Sequence, residues 1–167
     1  MSNDWRWLSK DKIIERDLLM KKRCHRIHLL VTRGAYDEMA SHLETYPQDV
    51  HVVDKNGDTP LTYAAMKRHA NTIPIVKLLL AVEPKQQVTH ANKMGCTALM
   101  YAARHGDVPL MQTLLSHAPQ LEAVDEDNQT PATESLRAKP SAVHFTTGTK
   151  CFDHNACDKM LLRAVKA

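Results

Sequence analysis

The hydrophobic positions of this chain recur in blocks. Ile75, Val76, Leu79 and Leu80 form an apolar stripe at helical spacing, and Leu110, Met111, Leu114 and Leu115 repeat it at the same offsets. Ahead of each stripe stands a pair of small residues, Ala64-Ala65 and Ala102-Ala103, which lets neighbouring helices approach closely. Ahead of that come Gly57 and Thr59 in one block, and Gly95 and Thr97 in the next. The spacing predicts a helix-turn-helix unit of 33 residues, Asn92 to Val124, with a longer copy over 54–91 and a partial copy opening at Asp125. One such helix pair cannot bury its stripe alone, so repetition on this scale predicts a stacked array.

The flanks are less regular. Residues 5–33 predict a helix, with Ser9 as N-cap and Gly34 as its stop, and Ala35 to Leu43 predict a short second helix. Residues 21–53 therefore read as a degenerate first copy. Glu38 and His42 stand where later copies have Ile75 and Leu79, and polar residues there are expected to face water at the end of the stack. Trp5 and Trp7 read as a hydrophobic cover for that end. The extra residues of the 54–91 copy fall in Arg68–Thr72 and Glu83–Gln87 and are read as longer loops. The fourth copy degrades at Ala132, Thr133 and Glu134, and Pro140 interrupts its second helix. Cys157 to Ala167 reads as a closing helix. The expected organisation is an N-terminal cap over 1–20, an array over 21–139 and a C-terminal extension over 140–167, all-α throughout.

The turn chemistry supports the units. Gly57 and Gly95 suit a backbone with positive φ, and Asn128 is the next best residue in that place. Thr59, Thr97 and Thr130 bond local backbone at a helix start, and Pro60 and Pro131 suit the first helical turn. Asp54, Gly57, Thr59, Pro60, Leu61, Ala64 and Ala65, followed by Gly95, Thr97, Leu99, Ala102, Ala103, Gly106, Leu114 and Leu115, resemble the ankyrin repeat. The resemblance runs from Gly34 to Pro131, and Thr62 and Met100 stand where that family has His. It implies an ankyrin-repeat solenoid with short hairpin-like turns that serves as a binding scaffold. Partners would dock on the hairpin tips and on the concave face of the first helices. By position, the tips are Lys55, Asn56 and Asp58, then Lys93, Met94 and Cys96, then Glu126, Asp127 and Gln129. The inner helix ends are Thr32 and Arg33, Met66 and Lys67, Arg104 and His105, and Arg137.

Composition adds limits. Aromatic residues are 5% of the 167-residue chain, which suits helices better than sheets. A net charge of +3 is too mild to call for nucleic acid. The N-terminus lacks a secretory core, and no stretch has the roughly 18 apolar residues of a membrane span. Cys24, Cys96, Cys151 and Cys157 read as free thiols in a reducing, cytoplasmic compartment.

Arg33, Lys67, Arg104 and Arg137 recur near the ends of successive first helices, and a row of fixed positive charge attracts acidic surfaces. Met66 and Met94 add adaptable apolar contacts beside it. The expected partner is an acidic or phosphorylated protein, and an ordinary solvated face is the plain alternative. The chain is expected to be a monomer acting as an adaptor, an inhibitor or a microbial effector. The competing class is a metal-binding or enzymatic protein centred on Cys151, His154 and Cys157. Zinc wants four ligands, usually from two separated arms, and this run has one arm, so no metal or other cofactor is expected. Cys24, His25 and His28 pair a thiol with imidazoles on one helix, but no acidic third member or glycine-rich phosphate loop accompanies them. No enzymatic activity is expected.

Overall fold

Thr97 shows how a unit starts. Its backbone is extended, its hydroxyl accepts the Met100 N–H at 3.3 Å, and its own N–H donates to the Met100 sulfur at 3.5 Å. A thioether thus does the job of the Glu or Gln of an ordinary capping box. Thr59 and Thr130 repeat the hydroxyl cap on the Thr62 and Thr133 amides, each at 3.3 Å. Pro60 sits in the first turn of its helix, where a missing N–H removes no bond.

The computed structural model describes residues 10–117, 121, 123–133 and 154–165, and for 10–17, 20, 154–158 and 165 only the course of the helix. The helices in chain order are α1 (Lys10–Arg33), α2 (Tyr36–Thr45), α3 (Pro60–Lys67), α4 (Thr72–Leu80), α5 (Pro84–Thr89), α6 (Ala98–His105), α7 (Val108–Leu115) and α8 (His154–Val165). A 3-10 turn, Pro47–His51, follows α2. Among the described residues there is no strand, only an isolated bridge between Ala91 and Thr97. The first helices α1, α3 and α6 pack side by side, and the second helices α2, α4 and α7 form a layer behind them. The predicted stripes close the space between the layers: Ile75, Val76, Leu79, Leu110, Met111 and Leu114 are all buried. Each such side chain contributes about 1.5–3 kcal/mol. Helix α8 lies on α6 and α7 and buries Leu161 there. Trp5, Trp7, Arg137 and Pro140 lie outside the described residues.

Two expectations change. His42 does not face water. It is buried, and its Nε2 lies 2.9 Å from Oδ2 of Asp49, whose side chain is fully enclosed. Arg23 of α1 donates to both Asp49 oxygens and lies over the Tyr46 ring at 4.3 Å. A buried carboxylate needs such partners, and two elements supply them, so a polar residue here belongs to the core. Glu38 is exposed as expected. The second change concerns Glu83–Gln87. These residues enter helix α5, and the buried Gln87 amide donates to the Leu79 carbonyl at 2.7 Å, so the inserted segment closes over α4.

The tips are three copies of one loop. Asp54 Oδ1 accepts the Asn56 and Asp58 amides at 2.8 and 2.9 Å. Asn92 Oδ1 takes Met94 and Cys96 at 3.0 and 2.9 Å, and Asp125 Oδ1 takes Asp127 and Gln129 at 3.0 and 2.9 Å. Successive tips are joined through backbone: the Lys93 N–H donates to the Asn56 carbonyl at 3.0 Å, and the Glu126 N–H to the Met94 carbonyl at 2.9 Å. Gly57 and Gly95 make that approach possible. A Cβ on Gly57 would meet the Lys93 nitrogen at 3.0 Å, and one on Gly95 would meet the Asp125 Cα and Val124 carbonyl at 2.8 Å. Both have positive φ, which alone costs a side chain roughly 1–2 kcal/mol. Gly95→Ala should therefore destabilise more than Gly57→Ala, the first by more than about 2 kcal/mol and the second by about 1–2 kcal/mol. Urea unfolding of the two variants measures the order directly.

Candidate functional site

The inner face is built from the exposed side of α1, α3 and α6 together with the tips. Tyr63 and Tyr101 occupy equivalent places, each just before the Ala-Ala pair. Lys67 follows Tyr63 by one helical turn, and its ammonium sits 5.4 Å from the ring centroid. Arg104 lies 5.6 Å from the Tyr101 ring and 3.8 Å from Asp125 Oδ2 at the next tip. Residues three or four apart on a helix are neighbours, and a cation over an aromatic face keeps its charge toward water. Arg33 is exposed on the last turn of α1.

Counted from the N-cap threonines Thr59 and Thr97, Lys67 shares its position with His105, and Arg104 shares its position with Met66. The row of cations is therefore staggered by one residue between units, which turns each one about 100° around its helix. Lys55, Asn56, Lys93 and Met94 are exposed at the tips, and the Lys93 ammonium donates to the Lys55 carbonyl at 2.7 Å. Met66 is half-buried against the core.

Three residues expected on the surface are placed otherwise. Asp58 is 1% exposed, and its carboxylate accepts the Asn92 amide at 2.8 Å. It ties two tips together and presents nothing to a partner. Cys96 is buried at the foot of its tip, 3.9 Å from Asp125 Oδ2. His105 is half-buried, its ring bonded to the Met66 backbone and its Nε2 enclosed. Burial and then the nearby Arg68 guanidinium hold its pKa below the usual value. Arg137, Cys151 and the side chains of His154 and Cys157 lie outside the described residues. Among the described residues no three His, Cys, Asp or Glu side chains converge to hold a metal.

The Cys24–His28 pair resolves into packing. The thiol donates to the Val53 carbonyl at 3.2 Å, and burial, then Asp54 and Asp49, push it above the usual thiol range. His28 is buried; its Nδ1 lies 2.7 Å from the Cys24 carbonyl and its Nε2 2.9 Å from the Asp58 carbonyl. Aligned on the helix ends Gly34 and Arg68, His28 falls at the place of Thr62 and Met100, where the resemblance calls for His. The first unit thus keeps the imidazole that the regular copies lack, and the regular spacing from Gly34 was the available signal for it. Tyr101 was also overlooked. Its hydroxyl bonds Asn92 at 3.2 Å, and its pKa is pushed up to about 12 by burial first.

A family model for ankyrin repeats, in three copies, matches residues 27–134. The chain belongs to the ankyrin-repeat family. The match covers more than half of the chain and takes in the last turns of α1, from Ile27, and all of α2. Ankyrin repeats are in general protein–protein interaction modules. Among the described residues no helix is long and apolar enough to cross a membrane.

Two outcomes follow from these bonds. Asn92→Asp makes the middle tip match Asp54 and Asp125, yet it sets a second carboxylate against Asp58. It should destabilise by about 1–3 kcal/mol at neutral pH, and less at acid pH where the pair takes up a proton. Denaturant titrations at two pH values check both parts. His105 has a folded pKa below its ordinary 6.5, so between the two values the unfolded chain binds more protons. Stability should fall as pH drops below about 6.5 and level off below the folded pKa. The thermal midpoint of His105→Gln should show a shallower fall across the same range.

Proposed function

We propose that this ankyrin-repeat protein binds an acidic or phosphorylated protein on its inner face. Arg33, Lys67 and Arg104 supply the charge, and Lys55, Asn56, Lys93 and Met94 supply the tip contacts. The single observation behind this is the repeated pair of a cation on a tyrosine, Lys67 on Tyr63 and Arg104 on Tyr101, in successive units. Such pairs place a charge beside an aromatic ring in successive units, and Tyr and Arg are among the residues enriched at interfaces. Met94, 46% exposed, adds an adaptable apolar contact beside them.

The domain reading goes with it: 1–20 and 140–167 cap the array over 21–139, and α8 covers the α6–α7 end. A chain capped at both ends acts as a monomer. The role is that of an adaptor, an inhibitor or an effector that covers a surface of its partner, with no catalytic step of its own. Cys24 and Cys96 are free thiols, which suits the cytoplasm.

Affinity capture from the native source with the full chain, followed by mass spectrometry, identifies the partner. Lys67→Glu with Arg104→Glu should weaken it by at least about tenfold, and wild-type affinity should fall as salt rises past about 0.1 M. Unchanged affinity in the double variant, with an unchanged melting temperature, rejects the charged face as the binding surface.

A further inference from the structure

The tip ladder has an open first rung. The Lys93 amide is taken by the first tip and the Glu126 amide by the second. Lys55 holds the same position in the first tip, and among the described residues no acceptor meets its N–H. A preceding tip would supply one. The middle of α1, at Lys21, Cys24 and His25, borders that place instead, and its carbonyls are engaged along the helix. Helix α1 and the first tip enclose a groove of about 780 Å³, lined by Lys21, Cys24 and His25 on one side and by Val52, Val53 and Lys55 on the other.

The lining has a definite character. Val53 is apolar yet 45% exposed. Lys21 and Lys55 are exposed and basic, while the Asp54 carboxylate in the same wall already accepts two amides of its own tip. The Cys24 thiol is bonded to the Val53 carbonyl and holds that wall in place. An open backbone N–H beside apolar and basic side chains can take one carbonyl of an extended chain.

We propose that this groove takes an extended acidic segment of a partner protein as the missing first rung of the ladder. One carbonyl of the segment accepts the Lys55 N–H, as Asn56 does for Lys93. An apolar side chain next to it covers Val52 and Val53, and a carboxylate one or two residues away meets Lys21 or Lys55. The site rests on the reading of the chain as an interaction module; it shares Lys55 with the tips and Tyr63 with the inner face, while Arg104 lies outside its lining.

The test uses the full chain, isotope-labelled and panned against a displayed library of random peptides about ten residues long, enough for one extended strand. Enriched peptides should pair Asp or Glu with Val, Ile or Leu, and should slow exchange of the Lys55 amide by at least about tenfold. Lys55→Pro removes the N–H while keeping the turn, because Lys55 is the second residue of a turn closed by the Gly57 N–H on the Asp54 carbonyl. It should cost at least about tenfold in peptide affinity, and Lys55→Ala, which removes only the charge, clearly less. Arg104→Glu alone, outside the groove lining, should leave peptide affinity within about twofold while it weakens the inner-face partner, so failure of this site and failure of the inner face read out separately. Four results overturn the proposal: no enriched peptide; peptides indifferent to Lys55→Pro; a Lys55 amide already protected in the chain alone, which assigns the edge to the chain's own residues; or protection that grows with protein concentration, which assigns it to a second copy.

Discussion

Every unit depends on a neighbour to cover it. Helix α6 is the clearest case: Ala98, Leu99, Met100, Tyr101, Ala102 and Ala103 are each no more than 5% exposed. A helix buried almost all round can exist only between two others, here α3 on one side and α7 with α8 on the other. The small residues of α6 permit the approach, and the tip ladder sets its register. The second and third tips each give one peptide hydrogen to the tip before, and glycine leaves the room. The apolar stripes then fill the space that this register defines. Stability is shared along the stack, and no single helix pair holds it.

Among the described residues no helix pair precedes α1 with α2, and this first pair is closed with polar chemistry. Asp49 sits enclosed between Arg23 and His42, and Tyr46 covers the guanidinium. Breaking one partner of such a group leaves an uncompensated charge, so the cluster constrains the geometry of α1 against α2. His28 performs a related task one turn further on, joining α1 to the first tip through the Asp58 carbonyl. The histidines of this chain are accordingly spent on internal joints as well as on the surface.

The inner face follows from the same packing. Tyr63 is half-buried and Tyr101 buried in the stack, and the cations that follow them on the helix lie over their rings. Arg104 also reaches Asp125, so its charge is partly matched inside the array, whereas Lys67 presents more of its charge to water. The face therefore carries a graded charge, stronger toward the α1 end. The open Lys55 edge lies at that same end, between α1 and the first tip.

The sequence by itself determined the repeat. Gly57 and Gly95, the cap threonines, the alanine pairs and the leucine stripes specify local backbone or a helical face, and both are written within a few neighbouring residues. From them the helix order, the tips and the ankyrin class were all legible, as were the exposed cations Arg33, Lys67 and Arg104. Tertiary structure decided what single residues do with their polar atoms. Asp58, Cys96 and His105 stand at surface positions by count, yet partners on other units enclose them; His42 was read as solvent-facing because its match to Asp49 forms only when the 3-10 turn folds back. The α5 segment looked like loop because its reason to be helical, the Gln87 bond to Leu79, lies across a turn. A side chain's burial depends on what the neighbouring unit brings to it, and no local pattern encodes that.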